Sequence, residues 1–494
     1  MTIFHVSSTH GSDAAPGTSP ERPFATLAAV NALTLAPGDQ VLLERGSSFR
    51  GQFLHIAGSG AEGAPIVIGA YGDPEAPRPA IHADGAGVWH EDYRAPIGGS
   101  PHRNRGDVST ALLLRDVSHV EVRDLEITNR RVDDSDGMAY NDLEVMDRTG
   151  VAVVAENAGT VRHVLLERLD IHDVDGNVYD KHMANGGIQV VAHMPEDPAR
   201  VETDVARFDD VRIAGNTVRR TSRWGIAVGY TAYLNYIDRG GRDASGAWDN
   251  TFDYGDGTID DALLARYGAT NVVVEDNLVE DAGGDAITTM YCLRPVIRRN
   301  ISRRAARQIR TDVYTATEND RVAAAIWPWR CKDALFEYNQ AWDTLNADRG
   351  NGDGQAWDAD YGDGTVYRHN YSSGNSGGTV MFCNEKAVNS EFCHNAAFHD
   401  AMGAIDIPRN PDAHVHDNVF VLGADADPLR LDRADGAARV EHNVFIADAP
   451  EPKATIWHPE GSSVTYAHNV YVNFVDAPGE DTPQDEAACR SRTA

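Results

Sequence analysis

Four aspartates crowd into eleven positions of the stretch GNGDGQAWDADYGDGTV: Asp353, Asp358, Asp360 and Asp363. Carboxylates this close raise one another's pKa. Such a cluster can keep one member protonated while its neighbour stays ionised, the division of labour that acid and nucleophilic catalysis need. Hydrolysis of a glycosidic bond uses two carboxyl groups flanking the bond. They stand about 5 Å apart for a double displacement and about 6.5–9.5 Å apart for inversion. Read as a strand, QAWDADY places Trp357, Ala359 and Tyr361 on one face and Asp358 and Asp360 on the other. Same-face neighbours are then about 6.5–7 Å apart. With Trp357 and Ala359 inward, the aspartates face solvent. Asp353 precedes the strand in a glycine-rich turn able to fold back over it. The competing reading is a calcium site, because aspartate-rich glycine loops bind that ion through oxygen. Hydrolytic chemistry is placed ahead of it: no metal or cofactor is expected, with calcium as the alternative. Asp363, in YGDG, reads as a turn residue.

Other candidates lie at the same phase of neighbouring segments: Trp224 and Tyr230 in TSRWGIAVGY, Asp285 in GGDAITTMY, Arg310 in RQIRTDVY, and Trp327 with Trp329 in AAAIWPWRC. Gln355 opens the aspartate strand, and Glu385 follows one repeat later. Aromatic faces stack on sugar rings, yet a tryptophan in a strand is more often core. Each of these is read singly as structural and jointly as the lining of a substrate cleft. His182 could meet a sugar hydroxyl.

The 494 residues carry 75 acidic and 44 basic side chains, a formal charge of -31. No lysine or arginine run offers a phosphate stripe, so nucleic acid is not expected as a partner. No window of eighteen apolar residues is present, so no membrane span is expected. The five cysteines are odd in number and match no zinc spacing, which reads as buried free thiols. The opening residues show neither a basic nor an apolar leader segment, giving the expectation of a cytoplasmic protein, monomeric or a small homo-oligomer.

The elements that must position these residues show as a repeat. Short alternating strands flank an asparagine at Asn216, Asn277, Asn300, Asn339, Asn370, Asn395, Asn418, Asn443 and Asn469, with related segments near Leu125 and Leu169. The last five asparagines are 25, 23, 25 and 26 residues apart. Neither strand of a copy can bury its apolar face alone, and stacked copies would bury one continuous core. That period is one coil of an all-β parallel β-helix. Amides in register can bond up and down a ladder, so the asparagines read as structural. Asn216 and Asn277 are 61 residues apart; the excess is aromatic and acidic and ends in a short helix within TIDDALLARYG. Further insertions follow Ile81, Asn129 and His193. Loops this long are usually functional, and here they would wall a cleft on one flank. A helix near Phe24 to Leu33 would cap the stack. The expected layout is one domain over residues 1–477, with coils from about Val41 to Val475, and a polar tail over 478–494.

The opening VSSTHGSDAAPGTSPERPFATLAAV, with APGDQVLLERGSSFRGQF after it, resembles the start of right-handed parallel β-helix enzymes that act on carbohydrates. The stretch NADRGNGDGQAWDADYGDGTVYRHNYSSGNSGGTVMFC resembles the active-site coil of the lacto-N-biosidase-like glycosidases of glycoside hydrolase family 136. The resemblance implies a glycoside hydrolase with two catalytic aspartates on one coil, mapping to Asp353 as acid/base and Asp360 as nucleophile, with Asp358 between them. The expected substrate is an oligosaccharide cleaved from one end. A polysaccharide lyase is the first alternative, disfavoured because lysine occurs only at Lys181, Lys332, Lys386 and Lys453. A non-catalytic glycan-binding β-helix is the second.

Overall fold

The computed structural model describes residues 1–97, 103–131, 146–178, 180–242, 244–246, 251–309, 322–345 and 353–479. Arg310 and the tail from residue 480 lie outside the described residues. The chain folds as the expected parallel β-helix. Its strands form three long sheets of 15, 13 and 12 strands among the described residues. One coil shows the pattern: Gln355–Asp360 lies in the 12-stranded sheet, Val366–Arg368 in the 15-stranded sheet and Tyr371–Ser373 in the 13-stranded sheet. The coil strands pair in parallel with their counterparts one coil away. Trp357, for example, is in register with Ile326 before it and Val380 after it. Inward residues of all three sheets merge into one core, within which Phe336, Tyr367, Phe392, Phe420, Phe445 and Tyr471 form successive ring contacts.

The asparagine ladder is present as expected. From Asn216 to Asn443, each amide nitrogen and each side-chain Nδ2 donates to the Oδ1 of the next ladder residue, at 2.8–3.1 Å. The same Nδ2 also closes its own turn; that of Asn395 reaches the Tyr367 carbonyl at 2.9 Å. The residue before each ladder asparagine sits in the left-handed region, from Gly215 (φ 64°) through Asp276, Arg299 and His394 to His468 (φ 56°). Every coil therefore turns through the same unusual backbone state, and the buried amide satisfies the polar groups that the turn exposes.

The N-terminal cap is built differently in detail. Ile3–Val6 pairs in parallel with Gln40–Glu44, so the first strand precedes the helix instead of starting near Val41. The helix is shorter than expected, Leu27–Asn31, and buries Leu27 and Val30 over the open end. The insertion helix Asp261–Tyr267 forms, and Asp260 caps it by accepting from Ala262 N at 2.7 Å. The insertion after Ile81 folds as an arm: Val88–Asp92 pairs antiparallel with Arg105–Arg115. No helix among the described residues is long and apolar enough to cross a membrane.

Candidate active site

Strand Gln355–Asp360 splits its side chains as alternation requires. Trp357 and Ala359 are fully buried in the coil interior. Asp358 and Asp360 project from the opposite face, but they do not face open solvent as expected: their exposures are 3% and 8%. The insertions cover that face and leave cavities over it. Tyr361 breaks the alternation, because its φ of 51° turns it out of the strand. Its ring then stacks on Trp329 at 4.9 Å between centroids, outside the coil.

Two adjoining cavities meet at the aspartates. The deeper one has a volume of about 300 Å³ and an aromatic lining that includes Trp224, Tyr230, Tyr254, Tyr291, Trp327 and Trp329. The other, about 590 Å³, is polar and includes Asn384, Arg409, Asp432, Arg433 and Glu460. Asp353, Asp358, Asp360, Lys181, Val322 and Trp329 line both. A ligand longer than one sugar could thus cross the carboxyl groups, with an apolar stacking surface on one side and charged groups on the other.

The carboxyl groups are strongly perturbed. Burial pushes Asp353 up to about 6, with Arg433 opposing the shift and Asp285 and Asp406 adding to it. Burial, followed by the neighbouring Asp360 and Asp353, holds Asp358 well above the usual carboxyl range. Burial raises Asp360 to about 7, against a hydrogen bond from the Cys383 thiol. Cys383 is the register partner of Asp360 on the next coil. Its own thiol is pushed far up by burial and by these carboxyl groups, so it stays protonated and able to donate. One carboxyl oxygen each of Asp358 and Asp360 and the Cys383 sulfur lie within 4.8 Å of one another. Asp358 and Asp360, each raised by burial, titrate as a coupled pair whose protons belong to both groups.

The surrounding candidates divide. Trp327 lines the deep cavity, contrary to the core reading, and its Nε1 donates to Asp285 at 2.9 Å. Asp285 also accepts from Ala324 N at 3.0 Å and pairs with the buried Arg223 at 3.1 Å. It braces the wall. Trp224 donates to the Lys181 carbonyl at 2.9 Å, and so fixes the segment that carries Lys181 and His182. Tyr230 stacks on His182 at 4.9 Å, and its hydroxyl is committed to the Ile97 carbonyl. Gln355 is buried away from both cavities and donates to Asp406 at 3.0 Å. Glu385 does not stand beside the cluster: it is exposed, lines neither cavity and pairs with Arg409 at 3.5 Å. Its coil has already turned outward by that point. Asp363, read as a turn residue, is buried and accepts from Ile259 N at 3.0 Å and Asn389 Nδ2 at 2.9 Å, which ties the large insertion to the coil.

Sequence reasoning missed several residues. Lys181 lies between two insertions, Tyr254 belongs to the large insertion before Asn277, and Tyr291 follows the strand two coils before the aspartates. Arg433 and Arg430, both bonded to the buried Asp406, follow the aspartates by about three coils. Cys383 was read as an inert thiol, although its position one coil period after Asp360 in the repeat was a usable signal.

No family model matches the chain. The chain is 48% identical, over 98% of its length, to lacto-N-biosidase from Bifidobacterium longum subsp. longum, and spans 31% of the length of that relative. Two crystal structures of the GH136 lacto-N-biosidase from Eubacterium ramulus superpose with a TM-score of 0.82 at 43% identity. Each match covers 90% of this chain; the native structure is covered to 68% and the selenomethionine derivative to 67%.

Proposed function

The chain belongs to glycoside hydrolase family 136, and from that premise we propose that it is a glycosidase of the lacto-N-biosidase type, releasing sugar from one end of an oligosaccharide with Asp353 and Asp360 as its reacting carboxyl groups. The observation that carries this reading is the placement of three perturbed carboxyl groups at the junction of an aromatic and a polar cavity. In this mechanism the sugar to be released stacks in the aromatic cavity and the rest of the oligosaccharide extends into the polar one. Asp353 protonates the departing oxygen and Asp360 attacks the anomeric carbon. Asp353 then takes a proton from the water that frees Asp360.

Asp360, at about 7, sits above Asp353, at about 6, in the free site, the reverse of what an ionised nucleophile and a protonated acid require. Two neighbours favour the ionised Asp360: the Cys383 thiol donates to it, and the Lys181 charge lowers its pKa. A sugar over Asp353 would remove it further from water and raise its pKa.

Asp353→Asn and Asp360→Asn should each lower turnover by about 10²–10⁴-fold or more with folding intact. Azide should partly rescue Asp360→Ala and trap a glycosyl azide. Asp358 and Asp360 lie side by side on one face of the same strand, with one carboxyl oxygen of each within 4.8 Å of the other, so Asp358→Asn decides between two assignments. A dead Asp358→Asn beside an Asp353→Asn that keeps normal turnover would move the acid role to Asp358. End-wise action predicts that sugar release from a polymeric substrate outpaces loss of viscosity; a rapid viscosity drop would refute it.

A further inference from the structure

The 15-stranded sheet carries a second constellation, on its outer face and away from the aspartates of the 12-stranded sheet. Strand Ala413–His416 places His414 and His416 two residues apart, hence on one face. The strand before it sets Glu391 in register with His414, and the strand after it sets Glu441 in register with His416. His416 Nε2 is 2.9 Å from Glu391 Oε1, and His414 Nε2 is 2.7 Å from Glu441 Oε1. The two imidazole centroids are 4.2 Å apart. Ligand atoms of Glu391, His414 and His416 all lie within 4.8 Å of one another. Bonds of about 2.0–2.1 Å in a tetrahedral zinc site need separations of about 3.3–3.4 Å, so small side-chain rotations suffice.

We propose that Glu391, His414, His416 and Glu441 form a binding site for a divalent transition-metal ion of the zinc class, clamping three successive coils. Two further observations point to a cation. Asp417 Oδ2 lies 2.7 Å from His416 Nδ1. That bond orients the ring so that an ion at Nε2 would take the place of the proton now shared with Glu391, the carboxylate–histidine support that metal-binding imidazoles usually have. A cation already sits over the cluster as well: Arg439 Nη2 lies 3.1 and 3.0 Å from the two ring nitrogens of His414, and Arg439 Nε lies 3.0 Å from Glu441 Oε1. Arg439 is half exposed on a flexible stem, so it can yield its place to an ion. Two imidazoles and two carboxylates suit zinc and argue against calcium or magnesium, which take oxygen ligands. The cysteine spacings gave no hint of this site, because its ligands come one or two at a time from three coils.

Equilibrium dialysis of the chelator-stripped full chain against zinc chloride tests the proposal, with thermal unfolding as a second readout. One ion per chain should bind and raise the unfolding midpoint. His414→Gln and His416→Gln should each lose affinity by at least tenfold, and Asp417→Asn by about tenfold. Arg439→Met, which removes the competing charge, should bind more tightly. Hydrolysis by His416→Gln without zinc should match the wild type. Zinc uptake that is unchanged in His416→Gln overturns the proposal, because the ion would then be bound elsewhere. Absence of uptake by both the wild type and Arg439→Met, a surface variant that keeps the fold, overturns it equally.

Discussion

A thiol set against a carboxyl group is a sensitive device. Cys383 donates to Asp360 and lowers its pKa against the burial that raises it. Removing the donor therefore raises the Asp360 pKa. In the proposed mechanism Asp360 must be ionised, so Cys383→Ala should move the acid limb of the kcat/KM profile to higher pH. Turnover should fall several-fold at pH 6 and little at pH 8. Cys383→Ser restores a donor and should return the limb toward its original place. A merely structural role for Cys383 would lower activity equally at every pH, and the two profiles separate these outcomes. The contrast with Asp285 is instructive: that carboxyl group, although it lines the cavity, is already held by Arg223, Trp327 and Ala324 N. Its substitution should cost stability before it costs chemistry.

At the scale of elements, the cavity exists because insertions are pinned to coils by buried polar contacts. Arg330 and Asp238 are 2% and 0% exposed and bond at 2.7–2.8 Å. Tyr291 donates to the other Asp238 oxygen at 2.9 Å, and Arg330 also reaches the Gly257 and Tyr361 carbonyls. Breaking such a pair by removing one partner costs about 3–5 kcal/mol. Asp238→Ala should therefore lower the urea midpoint markedly and raise KM, since Tyr254, over which Arg330 lies at 4.9 Å, would lose its support. Asp238→Asn, which keeps an acceptor, should fall between. The coils themselves were legible in the sequence, because strand alternation and the asparagine at each turn recur at a nearly fixed spacing. The outward face of the aspartate strand was legible for the same reason. What insertions do to that face was not: the burial of Asp358 and Asp360 depends on where Tyr254 and Trp329 come to rest. No local pattern encodes a contact between segments so far apart. Glu385 was misplaced by the complementary error, an assumption that the strand phase carries past the turn at Asn384, whose φ is 66°.

The whole molecule bears the cost of the site in its pH response. Asp353, Asp360 and Asp400 have folded pKa values of about 6, 7 and 6, with burial the first cause in each. Unfolded, such groups titrate near about 3.9. Between those limits the folded state holds more protons, so their contribution to stability is full below about pH 4 and is lost as pH rises through 6 to 7. Carboxyl groups held down by ion pairs work in the opposite sense but lower on the scale. Asp173, whose Arg220 hydrogen bond keeps it well below its usual range, loses its contribution only under acid conditions. Asp360→Asn does not titrate. It should therefore melt a few degrees above the wild type at pH 8, with the gap closing toward pH 4. Calorimetric scans across that range check it, and a gap independent of pH would remove burial of the Asp360 charge as its cause.

The asparagine ladder also has a mechanical meaning. Each coil touches only its neighbours, and the C-terminal ladder residues stand 25, 23, 25 and 26 positions apart. Pulled from its C-terminal end, the solenoid should peel like a tape instead of rupturing at once, since every step breaks one set of ladder bonds and exposes the next. At about 3.3–3.6 Å of contour per residue, single-molecule stretching should release the last coils in increments of roughly 80–90 Å. Asn418→Ala should weaken the resistance of one step and leave the steps on either side as they were.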